Sequence, residues 1–306
     1  MREGADARQS VDQERRRTTS RRELQRRRRF QDLSPAPGVL DEDAFSDAME
    51  QDLDDALALL ADVAGATDPA LRELARRLAG RVLVRLGRSG RARAGTTGRM
   101  APARLVDGGD LDVDASMEMI VDAAAGRRSP HLADLRSRAW SRPAPALCLL
   151  VDRSGSMGGR RLASAALAAA AVSWRAGDDY SVVAFSDDVV VVKGQQEERP
   201  VEAVVDDLLA LRGHGTTNLA LALAVAREQL LRSSSPERVV LLLSDGRATA
   251  GDEPVAAARA LDRLLVLAPR GDAGEARALA AAAGARTAEV DGPSDIPGAL
   301  ADLLGG

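Results

Sequence analysis

The chain has 306 residues, 45% hydrophobic and 29% charged, with a formal net charge of −4, which describes a folded globular protein with room for one large domain or two modest ones. Its single cysteine, Cys148, excludes an intrachain disulfide, and no run approaches the roughly 18 consecutive apolar residues of a membrane helix. Aromatics are only 2%, so aliphatic and alanine side chains must fill the core.

Residues 1–37 read as a basic, flexible arm. The first 30 residues hold 11 Arg against 5 Asp and Glu, and the arm ends at Ser34-Pro35-Ala36-Pro37-Gly38. The start lacks the apolar stretch of a secretory leader; with the lone cysteine, the expectation is a cytoplasmic protein. No aromatic residue except Phe30 interleaves with these arginines, so nucleic acid is not the expected partner.

Residues 38–90 read as a helical region. Acidic residues open the stretch 41–63 and leucines follow, predicting one helix. Asp68 and Pro69 supply an N-cap and a first-turn proline for a second helix over 69–86, with Leu71, Leu74, Leu78 and Val82 on one face. Residues 91–145 read as linker and extension. A Gly- and Arg-rich tract is followed by a short extended segment within 104–115, a helix over 117–125 capped by Ser116, and an irregular tract.

From 146 to 306 short apolar runs alternate with helical stretches. The runs fall at 146–151, 180–185, 189–192, 238–243, 264–267 and 286–290; the helices fall near 160–175, 201–211, 219–232, 254–262, 273–284 and 296–304. Near-continuous apolar strands separated by helices predict a sheet buried on both faces. Ser186-Asp187-Asp188 between two runs signals a hairpin and one antiparallel edge strand. The predicted class is α/β, a Rossmann-like, doubly wound, mostly parallel six-stranded sheet preceded by a helical N-terminal region. Cys148 is expected in the core, Trp174 in core or helix-end packing, and His214 on the surface. The alanine-rich stretch 162–172 is expected to pack closely on the sheet.

In such sheets ligands bind at the carboxyl ends of the strands. Three polar clusters fall there: Asp152-Arg153-Ser154-Gly155-Ser156, Gly213-His214-Gly215-Thr216-Thr217, and Ser244-Asp245-Gly246. Carboxylates and hydroxyls are hard oxygen donors that suit Mg²⁺, Mn²⁺ or Ca²⁺. With a divalent ion, two carboxylates make a neutral site that keeps an affinity for an outside anion.

Asp152-x-Ser154-x-Ser156, then Thr217, then Asp245 resembles the metal-ion-dependent adhesion site of von Willebrand factor A (VWA) domains, a resemblance covering about 146–306. Thr217 fits better than Thr216, because Thr217-Asn218-Leu219 matches the family's entry into the next helix. Arg153 is an unusual residue at a variable position. The resemblance implies that Asp152, Ser154, Ser156, Thr217 and Asp245 hold an ion, Mg²⁺ first, and that a partner's Asp or Glu completes its coordination. The layout is similar to bacterial VWA proteins that work beside MoxR-type AAA+ ATPases, including CoxE-like proteins and chelatase subunits. That implies a non-catalytic adaptor whose partner is such an ATPase or its substrate.

Enzyme readings fit less well. The single lysine, Lys193, precedes Gly194, so no phosphate-binding Gly-Lys-Ser/Thr loop exists. No glycines flank Ser154 or Ser156 in the pattern of a nucleophile elbow. Two alternatives stay open: a metal-independent scaffold using the basic arm, and a phosphoaspartyl enzyme using Asp152.

Overall fold

A computed structural model describes residues 18–88, 99–104, 110–126, 128–132, 134–141, 145–154, 159–213 and 215–305. The chain forms two compact units, one from residues 1–91 with 145–306 and one from 92–144.

The first unit opens with two short helices, α1 (Arg21–Leu24) and α2 (Phe30–Leu33). Leu24, Phe30 and Leu33 are buried, and Thr19 exchanges backbone hydrogen bonds with Gly65 and Thr67 (2.7 and 2.8 Å). The arm expected over 1–37 is therefore corrected from residue 18 onward: three apolar side chains among the arginines draw this stretch into the core. Residues 1–17 lie outside the described residues. The single helix expected over 41–63 is two, α3 (Glu42–Gln51) and α4 (Leu53–Val63). Asp52 is extended (φ −155°, ψ 96°) and its carboxylate accepts the Asp55 N–H at 3.0 Å, so it ends one helix and caps the next. α5 (Pro69–Gly87) starts where Asp68 accepts the N–H groups of Ala70 and Leu71.

In the second unit, β1 (Arg99–Arg104), β2 (Asp110–Leu111), α6 (Val113–Ala125) and β3 (Arg136–Ser141) follow in order, and β3 pairs antiparallel with both other strands. Asp112 caps α6 by accepting the Ala115 N–H at 3.1 Å; the expected cap, Ser116, lies inside the helix. Its buried hydroxyl instead accepts the Arg136 N–H (2.9 Å) and donates to the Arg136 carbonyl (3.2 Å).

The first unit resumes with β4 (Ala146–Asp152), α7 (Gly159–Ala176), β5 (Tyr180–Phe185), β6 (Val189–Lys193), α8 (Val201–Ala210) and α9 (Leu219–Leu230). It ends with β7 (Arg238–Leu243), α10 (Pro254–Arg259), β8 (Leu264–Pro269), α11 (Gly274–Ala283), β9 (Arg286–Val290) and α12 (Ile296–Gly305). The sheet order is β6-β5-β4-β7-β8-β9, with β6 alone antiparallel. This is the expected six-stranded α/β sheet. Alternate residues feed two cores. Leu147, Leu149 and Val151 share one with α7, α8 and α12, while Cys148 and Leu150 share the other with α9, α10 and α11. Among the described residues no helix is long and apolar enough to cross a membrane.

α7 is buried between the sheet and the N-terminal helices, with Ala163, Ala165, Ala166 and Ala168 through Ala171 all enclosed. A helix segment that is apolar all round, as 165–172 is, requires such cover. α5 approaches it so closely at Gly87 that an added Cβ would stand 2.7 Å from the Cβ of Ala170. Trp174, expected in packing, is 55% exposed instead; the Arg88 guanidinium lies over its ring at 5.6 Å, a cation–π contact that suits an aromatic at the surface.

Candidate metal centre

β4 leads through α7 to β5 on one side, whereas its other neighbour, β7, is reached later from β6 through α8 and α9. The connections therefore diverge between β4 and β7, and the crevice at their carboxyl ends is where an open α/β sheet binds ligands. Asp152 ends β4, and Ser244 and Asp245 follow β7.

The two strand ends are joined directly. Asp152 Oδ2 accepts the Ser244 hydroxyl at 2.6 Å, and Asp152 Oδ1 accepts the Ser154 N–H at 2.8 Å. Ser244 is buried and its oxygen accepts the Gly246 N–H at 2.9 Å. Asp245 Oδ1 accepts the Arg247 N–H (2.9 Å), and the Asp245 carbonyl accepts the Ala276 N–H (2.9 Å), anchoring the loop on α11. Gly246 makes that anchoring possible: its φ is +81°, and a Cβ there would lie 2.5 Å from the backbone of Ala276.

Thr217 is buried, and its loop is tied on both sides. Its N–H donates to the Thr249 hydroxyl (2.8 Å), and its carbonyl accepts the N–H groups of Thr249 and Ala250 (3.0 and 3.1 Å). The next N–H, of Asn218, donates to the Ser186 carbonyl at 2.7 Å, and the Asn218 side chain caps α9 through the Leu221 N–H. Ser186 begins the β5–β6 hairpin turn. That turn is held against the first loop because the Arg153 N–H donates to the Phe185 carbonyl (2.8 Å) and the buried Arg153 guanidinium pairs with Asp188. Hydrogen bonds thus link the loops of Asp152, Thr217 and Asp245 into a closed ring.

Asp152 and Asp245 both line a cavity of about 400 Å³ at this edge. Ser156 and His214 lie outside the described residues. The donor chemistry of Asp152, Ser154, Thr217 and Asp245, two carboxylates and two hydroxyls on interlocked loops, fits a hard divalent cation. Sequence reasoning placed Ser244 in a polar cluster and Ser186 in a hairpin turn but missed the supporting roles of both, and missed Thr249 altogether. Only Ser244 carried a signal, as the serine beside Asp245 at a strand end; the other two act through tertiary contacts. Cys148 lies within β4, where burial pushes its thiol pKa up to about 12, as its packing role requires.

This architecture defines an open α/β domain with an oxygen-rich cluster at its switch point. Residues 147–247 match the family described as von Willebrand factor type A domain. No curated protein matches the chain. Among solved structures it is similar to proximal thread matrix protein 1 from the mussel byssus, 16% identical over 53% of this chain and 46% of that one, with a TM-score of 0.42. It is also similar to a von Willebrand factor type A protein from Catenulispora acidiphila (16% identical, 56% and 44% covered, TM-score 0.43). A third is the manganese-loaded TRAP protein of Plasmodium vivax (17% identical, 53% and 74% covered, TM-score 0.41). The similarity spans less than half the length of the first two.

Proposed function

We propose that this protein is a non-catalytic adaptor that binds a divalent ion, Mg²⁺ first and Mn²⁺ or Ca²⁺ as substitutes, and recruits a protein partner through it. Asp152, Ser154, Ser156, Thr217 and Asp245 hold the ion, which supplies an open coordination position for a partner's Asp or Glu. The observation that carries this reading is the Ser244–Asp152 hydrogen bond: the hydroxyl fixes one carboxylate beside the loop of the other. The proposed partner is a MoxR-like AAA+ ATPase or its substrate, in a chelatase-like or chaperone-like assembly. That finer step rests on the resemblance in layout.

Two features weigh against the alternatives. Lys193 pairs with Val182, at the sheet edge opposite Asp152, so the only lysine offers no clamp for a phosphoryl group there. The basic stretch from residue 18 contributes Leu24, Phe30 and Leu33 to the core, which limits a free scaffold arm to residues 1–17.

The test is calorimetric titration of the full chain with Mg²⁺ and Mn²⁺, wild type against Asp152→Ala, with thermal unfolding to verify the fold. Saturable heat that is lost in the variant supports the reading; heat that Asp152→Ala leaves unchanged overturns it. Asp245→Ala is expected to abolish partner capture with the fold intact.

A further inference from the structure

The cavity beside Asp152 and Asp245 extends past the ion site. Its wall is apolar, built by Val151, Leu243, Pro269 and Val290 at the carboxyl ends of β4, β7, β8 and β9. Its mouth carries Arg27, Arg160 and Arg161. Arg27 lies in the turn between α1 and α2 and pairs with Asp62 of α4; α4 also reaches the segment after β9, where Asp54 Oδ1 accepts the Ser294 N–H at 2.8 Å. The N-terminal helices are therefore part of the cavity rim. Arg160 and Arg161 are both exposed, and among the described residues neither has a carboxylate partner. Asp291, the third acid of the lining, is engaged by Arg270 at 2.8 Å.

The lining holds three arginines and three aspartates, so a divalent ion at Asp152 and Asp245 leaves the cavity with two net positive charges. An apolar wall with two exposed guanidinium groups at its mouth matches an aliphatic side chain flanked by carboxylates. We infer that this cavity is a peptide subsite that extends the ion site. It takes an acidic segment of a partner in which one carboxylate reaches the ion, an adjacent aliphatic side chain enters the cavity, and a second carboxylate pairs with Arg160 and Arg161. The inference rests on the ion reading above for the first carboxylate only.

The test uses the full chain and two fluorescein-labelled peptides, glutamate–leucine–glutamate and the same peptide with its second glutamate replaced by glutamine. Anisotropy titrations are run in Mg²⁺ on wild type and on R160E/R161E, with Mg²⁺ calorimetry on both. The expected result is a loss of about tenfold or more in affinity for the two-glutamate peptide in R160E/R161E, unchanged Mg²⁺ heat, and a much smaller loss for the glutamine peptide. Equal affinities of both proteins, equal losses for both peptides, or no binding by wild type at millimolar peptide each overturn the subsite. If Mg²⁺ gives no heat while peptide binding still depends on the two arginines, the ion reading fails and the subsite stands. If Mg²⁺ binds and charge reversal changes nothing, the subsite fails and the ion reading stands.

Discussion

Ser244 donates its hydroxyl to Asp152 across 2.6 Å and so couples the ends of the two neighbouring parallel strands at which the chain changes direction. The same oxygen accepts the Gly246 N–H, which orients the loop carrying Asp245. Replacing Ser244 by Ala removes both contacts without touching a proposed donor. Divalent-ion affinity is expected to fall about tenfold, the usual cost of losing a group that orients a ligand. Stability is expected to fall by about 1 kcal/mol. Calorimetry and urea denaturation measure the two separately.

Gly246 is expected to tolerate no side chain. At φ +81°, with the Ala276 backbone 2.5 Å from a Cβ, Gly246→Ala must either strain the turn or push the Asp245 loop off α11. A loss of more than about 2 kcal/mol is expected. If the variant unfolds at the wild-type midpoint in urea, this account of the loop is wrong.

Arg153 is almost completely buried and pairs with Asp188 on the hairpin turn. Asp188→Ala withdraws a carboxylate from a buried guanidinium, and a loss of about 2–4 kcal/mol is expected. Arg153→Met in the Asp188→Ala background should recover part of it, because the neutral side chain restores packing without a charge to compensate. A double-mutant cycle in chemical denaturation checks both.

Cys148 provides a pH test. Burial raises its folded-state pKa to about 12, above the ~8.5 of an exposed thiol. A group raised on folding stabilises the native state fully below its unfolded pKa, and that contribution is lost as pH climbs toward the folded value. Stability should therefore fall between about pH 8.5 and 12, and Cys148→Ala should flatten part of that slope. In native protein at pH 8 the thiol is expected to resist a disulfide reagent and to react once denaturant is added.

The sheet was legible because strands buried on both faces are written as apolar runs; 180–185 and 238–243 begin and end as the sequence predicts, and so does the more polar edge strand 286–290. The breaks were harder. Asp52 looks like one more acidic residue in a helical stretch until its side chain is seen capping α4. Leu24, Phe30 and Leu33 are outnumbered by arginines, so local charge hid their burial. At the candidate site, Asp152 and Asp245 stood out because one ends an apolar run and the other closely follows one. Ser186 and Thr249 act through contacts with residues 32 positions away, and residue spacing carries no such signal.

α7 has no wet side. One flank lies on the sheet and the other under α4 and α5, with Gly87 set against Ala170. The α/β domain of this chain is consequently not a portable cassette. Cut away from residues 18–88, it would expose an alanine and leucine surface to water and lose the Arg27 edge of its cavity. The N-terminal helices and the sheet are therefore expected to unfold together, in one transition.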